Sequence, residues 1–164
     1  MKQQDRFARS LLLCLLSLLI AFCAIGCHGE QPPENTPEPP AQNEGNEVPR
    51  TGAWANATYV KDTVLGDGAK TVAVKVVADG QSITLTIKTD RSTLREAMDE
   101  HGLLTGEDGP YGLYIESVNG IVVKIEDGGY WWGITKAGAA TPVGVDGITI
   151  ADGEQYELTK TNTY

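Results

Sequence analysis

Apolar and polar residues alternate along two neighbouring stretches in the middle of the chain, residues 71–77 and 82–89. In each stretch the apolar residues fall on one face: Val72, Val74 and Val76, then Ile83, Leu85 and Ile87. Because successive side chains of a strand point to opposite faces, each stretch is predicted to be a strand with one buried face. Asp79-Gly80 lies between them and is typical of a two-residue turn, whose central positions need a positive φ. The pattern therefore predicts an antiparallel hairpin.

A helical pattern follows this hairpin. Apolar residues recur with the spacing of one helical stripe at Leu94, Ala97 and Met98. Thr93 and Glu96 have the spacing of a capping box, and Gly102 suits the C-terminal cap. We predict a helix of about ten residues that covers the apolar face of the hairpin. His101 is interpreted as a favourable group at the negative end of this helix, because no nucleophile for it to activate is recognised.

The second half of the chain carries further extended stretches separated by turn sequences. Residues 103–110 are predicted to form a loop, and Asn119-Gly120 is predicted to form a second hairpin turn. Further strands are predicted at residues 113–118, 121–125, 129–136 and 154–160. One helix packed on a mixed sheet of about four to five strands is an α+β fold, and a helix between two hairpins makes it β-grasp-like.

The stretch Gly128–Lys136 contains two of the three tryptophans of the chain. Strand alternation divides its side chains between two faces, with Tyr130, Trp132 and Ile134 on one and Trp131, Gly133 and Thr135 on the other. The first set suits a core. The second places an indole beside a glycine, which leaves room over a flat ring for a planar ligand. An alternative interpretation stays open, in which both tryptophans only fill the core or cover an edge.

The N-terminus combines a short basic segment with an apolar run. Residues 11–25 are almost wholly apolar, and this run is shorter than the roughly 20 residues of a membrane-spanning helix. It ends in Ala24-Ile25-Gly26-Cys27, which resembles the lipobox of bacterial lipoproteins, with Ala24 where leucine is commonest. The resemblance implies that residues 1–26 are a signal peptide and that Cys27 carries a diacylglycerol. The protein would then be extracytoplasmic and anchored to the bacterial cell membrane by a lipid.

A disordered tether is predicted at residues 27–52, where proline, glutamate and asparagine dominate and Val48 is the only sizeable aliphatic residue. The folded domain is predicted at residues 53–164, with its core at about 71–160. Whether residues 51–70 pack on the domain is left open by their sparse apolar residues.

Charge and residue pattern exclude several functions. The formal net charge is −9, and loss of the signal peptide would leave −11, since Lys2, Arg6, Arg9 and Asp5 together carry +2. An acidic protein is a poor ligand for nucleic acid. No nucleophile–base pair, metal-ligand spacing or phosphate-binding glycine loop is recognised, so we expect no enzyme activity, no metal and no cofactor. Glu107-Asp108-Gly109 lacks the ordered ligand spacing of a calcium loop.

Several short motifs occur in an order that resembles a known domain. They are residues 92–98 at the helix start, the strand and turn 114–120, Gly129-Tyr130-Trp131-Trp132, Pro142-Val143-Gly144-Val145, and residues 150–154. Together they resemble the C-terminal β-domain of the transcobalamin and intrinsic factor proteins, and still more the small bacterial lipoprotein domains related to it. The resemblance covers roughly residues 71–159 and implies a β-grasp-like fold of the ligand-binding type.

The resemblance also implies a ligand and a site. In the vitamin carriers this domain covers one face of cobalamin, with contacts from the Tyr-Trp region and a neighbouring loop. Carried over residue by residue, the ligand-binding set is Tyr130, Trp131, Thr141, Pro142 and Val143. Trp132 is added to this set on our own interpretation of the aromatic strand, without support from the resemblance.

The carriers grip cobalamin between this domain and an α-helical barrel, which this sequence lacks, so a transporter or a second protein would complete the site. The expected function is a lipid-anchored module that binds cobalamin, a related corrinoid or another small flat ligand. The alternative is a cell-surface protein-interaction or structural module with no small ligand.

Replacing Cys27 with Ala should release the protein from membranes, because the Cys27 thiol is the expected site of the lipid. Cell fractionation and partitioning into a detergent phase measure this directly. Replacing Cys23 with Ala, inside the segment expected to be removed, serves as the control and should leave partitioning unchanged. Detergent-phase partitioning of the Cys27→Ala protein would contradict the lipobox interpretation.

Overall fold

The computed structural model describes residues 46–163. The predicted signal peptide, Cys27 and the tether up to residue 45 lie outside the described residues. Residues 46–52, assigned to the tether from their composition, pack on the domain, because Val48 is 4% exposed and its N–H donates to the Val60 carbonyl at 2.6 Å. Within residues 46–163, no helix is long and apolar enough to cross a membrane.

The first strands are β1 (Thr63–Gly66), β2 (Lys70–Ala78) and β3 (Gln81–Thr89). β2 and β3 pair antiparallel around Asp79-Gly80, whose φ angles are 50° and 77°. The predicted hairpin is therefore confirmed, and its alternating valines, isoleucines and leucine are buried as expected. β1 comes from the segment whose packing was left open, and it adds to the sheet parallel to β3.

The helix α1 (Leu94–Asp99) begins at a capping box, as predicted. The Glu96 N–H donates to the Thr93 hydroxyl at 3.3 Å, and the Glu96 carboxylate accepts the Thr93 N–H at 3.0 Å. Gly102, with a φ of 62°, lies just beyond the helix end. The helix is shorter than predicted because residues 100–102 form the turn that closes it.

A separate three-stranded antiparallel sheet follows, consisting of β4 (Leu104–Gly109), β5 (Gly112–Val118) and β6 (Ile121–Val122). The loop predicted at residues 103–110 is wrong, because β4 occupies most of that range. β4 carries no alternating pattern, since every residue after Leu104 is exposed. Gly106 fits here because a Cβ on it would lie 2.0 Å from the Tyr114 carbonyl oxygen.

The remaining strands are β7 (Trp131–Lys136), β8 (Ala139–Ala140) and β9 (Gln155–Thr161). They join the first hairpin in a six-stranded mixed sheet of order β1-β3-β2-β9-β7-β8. β9 runs parallel to β2 and antiparallel to β7. The α+β class with one helix on mixed strands is confirmed, although the described residues contain more strands than predicted and divide them between two sheets.

The core lies between the sheets and the helix and includes residues from the segment before β2. Trp54 is 1% exposed, and its indole N–H donates to the Ala78 carbonyl at 3.0 Å. Asn119 is fully buried, where its side chain donates to the Tyr59 carbonyl at 2.8 Å and accepts the Tyr59 N–H at 2.9 Å. This side chain therefore fixes the early segment to the β5–β6 turn.

Replacing Asn119 with Ala should lower the free energy of unfolding by about 2–4 kcal/mol, measured by urea denaturation. The change removes both hydrogen bonds to Tyr59 and places a side chain at a φ of 54°, a conformation that alanine adopts at a cost. Asn119→Gly loses the same hydrogen bonds without the conformational cost and should be less destabilised. Equal stability of the two variants would contradict the backbone part of this account.

Candidate functional site

A cleft opens where the pairing of β7 with β8 stops. In the described part of the chain β8 pairs with β7 only opposite Thr135 and Lys136, and the next contact is the Thr141 N–H donating to the Ile134 carbonyl at 3.0 Å. Pro142 follows and has no N–H to continue the ladder. The chain then diverges from β7 and leaves a space of about 690 Å³ between them.

The cleft has a floor, a wall and a hydroxyl-bearing side. The floor is β7 residues 131–135, and the wall is the segment from Ala140 to Gly144. Three threonines from the end of the chain form the third side, namely Thr159, Thr161 and Thr163. The lining is therefore mainly apolar, with a few hydroxyl groups, which is typical of sites for small organic ligands.

Trp131 lies at the open end of this cleft and is partly exposed. A Cβ placed on Gly133 would lie 3.6 Å from two ring carbons of Trp131 and 3.2 Å from the Thr161 methyl carbon. A Cβ at position 133 would therefore be tight against the Thr161 methyl group and in ordinary van der Waals contact with the indole. The ring of Trp131 therefore lies over Gly133, close to the sheet.

Trp132 has a different environment, although its residue also lines the cleft. It is 5% exposed and belongs to the core, against which Tyr130 and Ile134 also pack. Its indole nitrogen is buried and has no hydrogen-bond partner in the described structure. The ring of Trp132, one of the predicted ligand-binding residues, therefore faces the core, on the side of the strand where alternation places it.

Tyr130 lies before the strand and outside the cleft lining. The Lys160 ammonium is 4.8 Å from its ring centroid and 2.8 Å from the Asp79 carboxylate. The hydrogen bond from Lys160 holds the pKa of Asp79 below its ordinary value. Tyr130 therefore helps to attach the start of the aromatic strand to the β2–β3 turn.

The structure brings together five of the six predicted ligand-binding residues, namely Trp131, Trp132, Thr141, Pro142 and Val143. Sequence reasoning did not single out Ile134 or the threonines of β9. The repeated Thr-X-Thr spacing of residues 159–163 was a usable signal, because it places hydroxyl groups on the same face as Trp131.

The wall of the cleft is held at both ends. At one end the Thr141 N–H donates to the Ile134 carbonyl of β7 at 3.0 Å, and the Thr141 hydroxyl donates to the Val143 carbonyl within the wall at 3.0 Å. At the other, the short 3₁₀ helix Val145–Gly147 places Asp146 against Arg95 of α1, with Nη1 2.6 Å from Oδ1. The second carboxylate oxygen of Asp146 accepts the Leu113 N–H at 2.8 Å.

Further ion pairs of Arg95 strengthen the attachment of the wall at Asp146. Arg95 also contacts Asp99 and Asp108, so one guanidinium joins three carboxylates. Burial alone would raise the pKa of Asp146, but the Leu113 N–H and Arg95 together hold that pKa below its ordinary value. Because the pKa is lowered by folding, the stabilisation is present at neutral pH and is lost as the pH falls through the lowered value.

Within residues 46–163, no group of three or more His, Cys, Asp or Glu is placed to hold a metal ion. The geometry defines an α+β domain with an apolar, hydroxyl-edged cleft of the size that takes a small organic molecule.

Comparison with solved structures identifies relatives of this domain. A structure from Ruminococcus gnavus ATCC 29149, of a protein for which metal binding has been suggested, matches at 31% identity with a TM-score of 0.55. The match covers 58% of this chain and 99% of that one. At this identity and coverage, the chain belongs to the same family as the Ruminococcus protein.

Haptocorrin, in complex with Cbi, matches at 17% identity with a TM-score of 0.50, over 58% of this chain and 25% of haptocorrin. That likeness shows the fold, which is the fold of a transcobalamin-like C-terminal domain, as the sequence motifs implied. No protein-family model and no curated protein matches the sequence.

Replacing Arg95 with Gln should loosen the cleft wall, because Asp146 then loses its ionic partner. Amide hydrogen exchange should become roughly tenfold faster at Leu113 and Gly147, whose N–H groups donate to Asp146 and Gly144. Arg91→Gln is the matched control, since Arg91 pairs with Glu100 outside the cleft lining. Equal exchange in both variants would show that Arg95 does not hold the wall.

Proposed function

We propose that this protein is an extracytoplasmic, lipid-anchored module that binds a small flat ligand, with a corrinoid such as cobalamin as the leading candidate. The observation that carries the proposal is the partly exposed Trp131 lying over Gly133 in a largely apolar cleft. A partly exposed indole in an apolar cleft offers flat aromatic surface on which a planar ligand can stack. The proposal is one of binding, without a reaction.

The size and chemistry of the cleft support this ligand class. About 690 Å³ lies within the range of sites for small organic molecules. The threonine hydroxyls and apolar wall suit a ligand with a flat apolar body and polar groups at its rim. The haptocorrin structure in complex with Cbi supports a corrinoid, because it shows the same fold in a protein that carries such a ligand.

One face of the ligand would stay open in this arrangement. The match spans only a quarter of haptocorrin, so this chain supplies one part of the arrangement seen there. Affinity then depends on a second surface, and we propose that a transporter or another envelope protein supplies it. A lipid at Cys27 would confine the module to the membrane and raise its effective concentration near such a partner.

A second candidate function is protein interaction without a small ligand. Four of the exposed large hydrophobic residues lie on or beside the three-stranded sheet: Tyr111, Tyr114, Val122 and Ile125. Their exposed fractions run from 48% to 96%. Clusters of exposed apolar side chains are a feature of interaction surfaces, so this sheet favours a protein partner.

Titration with cobinamide or cobalamin should quench tryptophan fluorescence of the mature protein in which Ser replaces Cys27. Saturable quenching, after inner-filter correction, is the expected result, because the ring of Trp131 would stack on the corrin. Trp131→Ala should weaken binding by roughly tenfold to a hundredfold, from the loss of stacking and buried area.

Tyr111→Ala is the matched control for this titration. Tyr111 is 96% exposed and lies outside the cleft lining, so its loss should leave corrinoid affinity unchanged. No saturable quenching at millimolar ligand, or equal affinity of the Trp131→Ala protein, would favour the protein-interaction function.

A further inference from the structure

The main chain of β7 has one paired edge and one edge that faces the cleft. Residues of a strand alternate in the direction of their N–H and C=O groups, so positions two apart share a direction. The Ile134 carbonyl accepts the Thr141 N–H on the side away from β9. The N–H and C=O of Trp132 must therefore point to that same side, whereas those of Gly133 point toward Thr159 of β9.

Nothing in the described chain pairs with Trp132 on this side. β8 reaches β7 opposite Thr135 and Lys136, and the N–H of Thr141 is used on the Ile134 carbonyl. The residue that would come next in the ladder is displaced because Pro142 turns the chain away. Trp132 lines the resulting cleft, so its peptide donor and acceptor border the space that a ligand would fill.

We infer that the ligand of this cleft carries a carboxamide or peptide group that hydrogen-bonds to the main chain of Trp132 while its flat body stacks on Trp131. The inference rests on the proposed function and specifies the chemistry of its ligand. A carboxamide has an acceptor oxygen and N–H donors close enough together to bond both the C=O and the N–H of one residue, as the Asn119 side chain does with Tyr59.

The alternative, a purely apolar ligand, fits the cleft less well. Such a ligand would exclude water from the Trp132 peptide and leave its N–H and C=O without partners, which is unfavourable for any buried main-chain group. Corrinoids satisfy both requirements, because they combine a flat ring with carboxamides around its rim. The wall itself is preformed, so the ligand would meet a fixed edge.

Amide hydrogen exchange, measured for each residue, tests whether the cleft-facing edge of β7 is open. In the free protein the Trp132 N–H should exchange much faster than the N–H of Gly133, which faces β9 and serves as the internal control. Addition of saturating cobinamide should slow exchange at Trp132 by roughly tenfold or more and leave Gly133 unchanged. Slow exchange at Trp132 in the free protein would overturn the inference, because the edge would already be paired.

A matched pair of ligands tests the amide requirement. Cobinamide is compared with the heptamethyl ester of cobyrinic acid, which keeps the corrin ring but has esters, without N–H donors, in place of carboxamides. The ester should bind roughly tenfold more weakly or worse, and it should protect the Trp132 N–H less. Equal affinity and equal protection would overturn the amide inference while leaving ring binding intact.

The outcomes separate the inference from the proposed function. Quenching of Trp131 without protection of Trp132 would retain corrinoid binding and reject pairing at the edge. Absence of quenching with both ligands would reject the proposed function and the inference together. Quenching with protection at Trp132, and weaker binding of the ester, is the result that supports both.

Discussion

The position of the last strand is the constraint on which the rest of the structure depends. β9 lies between β2 and β7 and is the connection between the first hairpin and the aromatic strand. Leu158, at its centre, is fully buried opposite Val76 on one side and Ile134 on the other. Without this pairing β7 would have no neighbour on its inner edge, and the cleft beside it would have no floor.

The cleft exists because the six-stranded sheet ends before β7 is fully paired. A sheet normally ends at an edge strand, and here β8 covers only the far end of β7. Because Pro142 cannot extend the ladder, the chain diverges and becomes a wall facing the uncovered part of β7. Thr141 and Asp146 fix the wall on either side, so the site exists before any ligand arrives. A preformed site requires less ordering on binding.

The hairpin and the helix could be predicted because their signals lie within a few residues of each other. Contacts between residues distant in the sequence could not be predicted in this way. Asp79-Gly80 and the Thr93 capping box each act within a few residues, so the sequence alone indicates them. β4 gave no signal because its side chains point into solvent. Alternation indicates which face of β9 is buried, but it does not say which strands lie beside it.

The site shows the same division between local and distant information. Trp131 and the wall residues came from short motifs and a family resemblance, and the structure places them together. Arg95 and Asp146 were missed, since an ion pair between residues 51 positions apart leaves no spacing pattern. The contribution of the main chain at Trp132 was equally hidden, because every residue except proline has both an N–H and a C=O. Its direction depends on the pairing of β7 with β9 and on Thr141, and both arise only when the sheet has formed.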